Sequence, residues 1–193
     1  LYGNVFDYYN GITDLENGIV RFIGNPDERV KEDYLRIMRF FRFYSIFSKK
    51  PIDKNALKAC VDNKDGLRTI SIERVRDELF KLLVTPKVAE TMQIIFEKEI
   101  LSYFLPSKST HFEALQHLTE LVEDMKYEGN FLRRLFVFYQ PNSSEAENIA
   151  RTLRFSKKQK DIFVSWAKIN LMPENISTPT VPNFSPIGMV FMP

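Results

Sequence analysis

One cysteine and two histidines in 193 residues leave little material for metal or thiol chemistry. A single thiol, Cys60, excludes an intramolecular disulfide and any cysteine-rich zinc site, and it fits a reducing compartment. At helical spacing among apolar neighbours it reads as a small buried residue. His111 and His117 stand six apart, which does not bring two imidazoles to one helix face, so no metal is expected on them. No apolar run is long enough to cross a bilayer and no basic-then-apolar leader opens the chain, so a soluble cytoplasmic protein without a membrane partner is expected. The formal net charge of +2 is too small to announce a polyanion partner by itself, so any such partner needs a local patch.

What the chain has in quantity is phenylalanine, 17 residues, mostly at helical spacing and therefore core. Val5–Tyr9 and Gly18–Gly24 read as two short strands with Asn10-Gly11 turning between them. Beyond them every signal is helical. Asn25-Pro26-Asp27-Glu28 is a helix start, with a capping Asn and Pro at the first position, and the helix is expected to run unbroken to about Phe47. Further helices are expected over Asp53–Val61, Ser71–Val84, from Pro86 through Phe96, His111–Met125, Gly129–Gln140, Ser144–Phe155 and Ser156–Leu171. Ser144 and Glu147 fit the capping-box template. The proline-rich residues 173–193 read as an extended or disordered end.

The stretch Glu32-Asp33-Tyr34-Leu35-Arg36-Ile37-Met38-Arg39-Phe40-Phe41-Arg42-Phe43 threads charge through an aromatic helix. Asp33, Arg36, Arg39 and Arg42 recur at i, i+3, which on a continuous helix makes neighbours of successive members. Alone, this pattern describes a solvated stripe. It is preceded by Asp7-Tyr8-Tyr9-Asn10-Gly11 through Gly24-Asn25-Pro26, and followed by Ile70-Ser71-Ile72-Glu73-Arg74-Val75-Arg76. In that order and spacing the three segments resemble class II tRNA nucleotidyltransferases, the CCA-adding enzymes and their bacterial poly(A) polymerase relatives. The resemblance covers residues 1–83 with specific motifs. Beyond that, only Arg133-Arg134 and Leu153-Arg154-Phe155-Ser156-Lys157-Lys158 are similar to the family's body region.

The resemblance implies a mainly α fold in four parts. Residues 1–24 would be a β-hairpin remnant of an α/β head, 25–105 a base-reading neck, 106–172 an RNA-binding body and 173–193 an extended end. It implies addition of C, C and A to tRNA 3′ ends from CTP and ATP, with Asp33 and Arg36 reading the base and Arg39 supporting the pocket or the triphosphate. Glu32 would orient an arginine, Asp7 and Asn10 would couple head and neck, and Glu73, Arg74 and Arg76 would buttress the reading helix. Arg133, Arg134, Arg151, Arg154, Lys157 and Lys158 would meet tRNA phosphates, each cation neutralising one. The Mg²⁺ of the family is held by an Asp-x-Asp head whose ligands this sequence does not contain, so no catalytic or metal residue is assigned. The chain alone is then expected to be inactive. A separate head-bearing polypeptide, a poly(A) polymerase fragment and a non-catalytic helical RNA-binding module are the alternatives.

The proposed base reading has a chemical reason. Cytosine and adenine both place an exocyclic amino donor beside an unprotonated ring nitrogen, whereas uracil and guanine place a carbonyl beside a ring N–H. A carboxylate accepts from the first edge while a guanidinium donates to its ring nitrogen. Against the second edge both groups stay unpaired, at about 1–3 kcal/mol for each that is buried.

Overall fold

In the computed structural model, residues 6–105, 110–124 and 130–169 are described. Among them are ten α-helices and one 3₁₀ segment, and no strand. The Asn10-Gly11 pair does not turn a hairpin. It opens a short helix, α1 (Gly11–Asn17), and Gly18–Gly24 continues without a strand partner among the described residues. The physical reason is local. The Asp7 carboxylate accepts from the N–H groups of Gly11 and Ile12 at 2.7 and 2.9 Å, supplying acceptors to a helix start.

The expected helix over residues 25–47 is two helices, α2 (Pro26–Glu32) and α3 (Arg36–Phe47). Asn25 caps the first by accepting from Asp27 N–H at 3.0 Å. Asp33 then adopts an extended backbone (φ −155°) and its side chain accepts from Leu35 N–H at 3.1 Å. Aspartate competes in this way with the helical ladder, so a short polar side chain stops one helix and starts the next. The break lets Val30 and Leu35 both enter the core. Gly66 holds it from outside. A Cβ there would sit 2.1 Å from the Tyr34 ring, so only glycine admits Tyr34 at this point.

Next come α4 (Lys54–Asp62), a 3₁₀ segment (Lys64–Thr69) and α5 (Ile72–Leu83). Then follow α6 (Val88–Glu97), α7 (Phe112–Asp124), α8 (Phe131–Tyr139), α9 (Ser143–Thr152) and α10 (Lys157–Ile169). The capping box of α9 lies earlier than expected, on Asn142 and Glu145 rather than Ser144 and Glu147. Residues 173–193 lie outside the described residues, as does Val5 of the first expected strand.

Helices α3 and α5 run side by side and parallel. Asp33 reaches Arg74 at their starts, Arg42 reaches Glu78 midway, and Ser45 shares a hydrogen bond with Thr85 at their ends. One apolar core joins them to α8 through Phe80, whose ring stacks on Phe131 at 4.0 Å. The core therefore crosses the expected neck–body boundary near residue 105. Cys60 is buried in it, and burial pushes its thiol up to about 12.

Candidate nucleotide and RNA site

The second and third motif segments meet at the starts of α3 and α5, whereas the first lies along α3 and at its far end, with Phe22 stacked on Phe40 and the Gly18 carbonyl accepting from Lys49 N–H at 2.9 Å. Asp33 sits at the α2–α3 break, so it is not one turn below Arg36 on a shared helix as the unbroken reading required. Its Oδ1 is used by Leu35 N–H, and its Oδ2 lies 3.6 Å from Arg74 Nη2. Arg36, on the first turn of α3, donates through Nη1 to the Arg29 carbonyl at 2.7 Å and to the Glu32 carboxylate. Glu32 also takes Arg29 at 2.6 Å, and the Arg36 hydrogen bond, the first cause, holds its carboxyl below the usual range. Asp33 and Arg36 are thus positioned by separate partners.

Arg39 and Arg42 turn to a group that sequence reasoning did not single out. Glu78 is 5% exposed on α5, and it meets Arg42 Nε at 2.8 Å, Lys81 Nζ at 3.2 Å and Arg39 Nε at 3.9 Å. The signal was available. Glu78 falls on the apolar stripe Val75, Leu79, Leu82 of α5, where an acid needs a cation from the facing helix. Glu78→Ala is expected to cost about 2 kcal/mol in urea unfolding, because it leaves the half-buried Arg42 without its carboxylate. A loss below about 0.5 kcal/mol would mean that solvent already balances these cations.

Glu73 pairs with Arg154, and a backbone hydrogen bond first and this contact second hold its carboxyl below the usual range. Arg76 donates to the Arg154 carbonyl at 2.8 Å and to Asp77. The α5 motif therefore grips the α9–α10 turn, where Arg154 has a left-handed backbone (φ 48°), as well as facing Asp33 through Arg74.

At the front of the chain, the Asp7 carboxyl is held below its ordinary value of 3.8 by the N–H groups of Ile12 and Gly11. Asn10 is exposed with a left-handed backbone and gives no side-chain cap. Since the folded value is depressed, the contribution of Asp7 to α1 is complete above 3.8 and is lost as pH falls through the lower, folded value. The amide resonances of Gly11 and Ile12 should move together in an NMR titration, with a midpoint below 3.8. A midpoint above it would remove the proposed cap.

The two basic clusters divide differently from expectation. Arg133 is exposed, but Arg134 is 3% exposed and donates through Nη1 to the carbonyls of Leu83 and Thr85 at 2.9 and 3.0 Å. Arg134 is thus a buried clasp on the end of α5 and does not offer its charge to RNA, because helix-terminal carbonyls claim it. Arg151, Arg154 and Lys160 line one open groove together with Phe155 and Asn148, and Lys157 and Lys158 are exposed at the start of α10. Among the described residues, no three Asp, Glu, His or Cys side chains converge to hold a metal ion. Among them also, no helix is long and apolar enough to cross a membrane.

A family described as "Probable RNA and SrmB- binding site of polymerase A" matches residues 51–111. Human mitochondrial CCA tRNA nucleotidyltransferase 1 is 42% identical over 111 residues, covering 56% of this chain and 26% of the human protein. The mouse protein of the same name is 32% identical over 163 residues, covering 83% of this chain and 37% of its own. The CCA-adding enzyme of Lactobacillus helveticus is 36% identical over 121 residues, 63% of this chain and 30% of that enzyme. The chain belongs to the CCA tRNA nucleotidyltransferase and poly(A) polymerase family. It spans only about a quarter to two fifths of the length of these relatives. Within that family, the matched span 51–111 holds α4 to α6 and so includes Arg74 and Glu78, which face Asp33 and the arginines of α3, and Glu73, which pairs with Arg154.

Proposed function

We propose that this chain is the base-reading and tRNA-holding part of a CCA-adding enzyme. The observation that carries the reading is the placement of Asp33 and Arg36 at the α2–α3 break, each anchored by partners that leave hydrogen-bonding capacity. Asp33 Oδ2 accepts from the exocyclic amino group of an incoming CTP or ATP. The Arg36 nitrogens not spent on Glu32 and Arg29 donate to the adjoining ring nitrogen. Glu32 orients Arg36, and Arg74, itself fixed on the helix that Glu73 ties to Arg154, steadies Asp33. Arg39 faces Glu78 and keeps part of its guanidinium open toward the pocket, while Asp7 and Asn10 set the entry of the chain. Residues 25–105 then act as the neck. Residues 106–172 act as the body, where Arg133, Arg151, Arg154, Lys157 and Lys158 hold tRNA phosphates. The relatives named CCA-adding or CCA tRNA nucleotidyltransferase favour this over a poly(A) polymerase reading.

The test is incorporation of labelled CTP and ATP into tRNA lacking its CCA end. It is run with this chain alone and with a polypeptide carrying metal-binding carboxylates. Incorporation that requires both supports the reading. A silent mixture, with the chain folded and still retaining tRNA, leaves a helical RNA-binding module in its place.

A further inference from the structure

The solvent face of α3 is not a solvated face. Its exposed positions are Arg39, Phe43, Ile46 and Phe47, one cation followed by three large apolar side chains at i, i+4, i+7 and i+8. Phe43, Ile46 and Phe47 are 41, 39 and 44% exposed, and the two phenylalanine rings stand 6.1 Å apart. The Arg42 guanidinium lies 4.5 Å from the Phe43 ring centre, so a cation and a π face are already combined. Beside this row, parallel α5 exposes Arg74 and Lys81. Three cations, Arg39, Arg42 and Lys81, converge on the single carboxylate of Glu78, so the seam between the helices keeps a positive excess.

We infer that this face of α3 and α5 is a track for unpaired RNA, with bases stacking on Phe43 and Phe47 and the backbone following Arg39 and Lys81. The inference rests on the proposed reading and deepens it by giving the acceptor strand a place. Two arguments select RNA over a protein occupant. Three cations sharing one carboxylate leave this seam an excess of positive charge that suits a phosphate backbone, and the rings beside them match surfaces that bind single strands without sequence preference. The face is also continuous with Asp33 and Arg36 at the start of the same helix, so a strand lying along α3 ends at the pair proposed to meet the next nucleotide.

Binding of 5′-fluorescein-labelled hexacytidylate and hexaadenylate to this chain, followed by anisotropy across a salt series, tests the track. Phe43→Leu and Phe47→Leu keep an apolar side chain but remove the π face. Each is expected to weaken both oligonucleotides about fivefold or more with the salt slope unchanged. Arg39→Gln is expected to lower the slope by about 0.7. Unchanged binding in both phenylalanine variants, with circular dichroism intact, overturns the track, as does failure of the unaltered chain to bind. A dimer seen by sedimentation and abolished by Phe47→Ser would assign the face to a second copy instead, and likewise overturn it. The oligonucleotides carry no triphosphate, so failure of base reading by Asp33 and Arg36 leaves these outcomes untouched.

Discussion

Arg134→Met is expected to lower the free energy of unfolding by about 3 kcal/mol, while Arg133→Met changes it by no more than about 0.5 kcal/mol. The two residues are adjacent in sequence and opposite in environment. Arg134 Nη1 bridges the Leu83 and Thr85 carbonyls at the end of α5, groups left without helical partners and removed from water. A hydrogen bond from a charged donor is worth about 1.5–3 kcal/mol, and the methionine leaves two acceptors unpaired; the desolvation the arginine no longer suffers offsets part of this. Methionine retains the volume, so the loss reports on the hydrogen bonds rather than on a cavity. Urea unfolding followed by circular dichroism decides it. Equal effects at the two positions would show that the Arg134 contacts carry no net stability. The same experiment separates structure from RNA binding, because only Arg133 is expected to alter the salt dependence of tRNA affinity.

The second large effect concerns base choice. In the two-polypeptide incorporation assay, Asp33→Ala is expected to reduce kcat/KM for CTP and for ATP about ten- to a hundredfold. Incorporation of UTP and GTP should fall far less, so selectivity narrows. Removing the carboxylate leaves the amino group of either correct base without an acceptor, while the wrong bases never had that bond to lose. Arg36→Ala should do the same through the ring nitrogen. Asp33→Ala also removes the bond to Leu35 N–H, at about 1 kcal/mol of stability. Circular dichroism at the assay temperature therefore accompanies the kinetics. A uniform fall for all four nucleotides would identify Asp33 as structural support for α3 rather than a reader of bases.

These two cases also mark where sequence was enough. The helical character of residues 53–61, 71–84 and 157–169 follows from spacing and caps that act over four residues, and these are readable one segment at a time. The family was legible because three short motifs stood in the right order. Cys60 as a buried thiol followed from its place on an apolar helical face.

Tertiary structure decided the rest. Periodicity alone could not reveal that the helix over 25–47 stops at Asp33, because the stop depends on one side-chain hydrogen bond and on a glycine 33 residues downstream that gives room to Tyr34. Arg133 and Arg134 carry the same charge in the same helix, and only the approach of α5 from elsewhere in the chain buries one of them. Glu78 is recognised as a partner of Arg39 and Arg42 only once α3 and α5 lie parallel. The Asn10-Gly11 pair promised a turn between strands, and a carboxylate at Asp7 made it a helix start. Sequence by itself determined which segments are helical and which family they belong to, since both are written in local order. Where each charge points was settled by long-range contacts, because a cation's role depends on which acceptor the fold brings within about 3 Å of it.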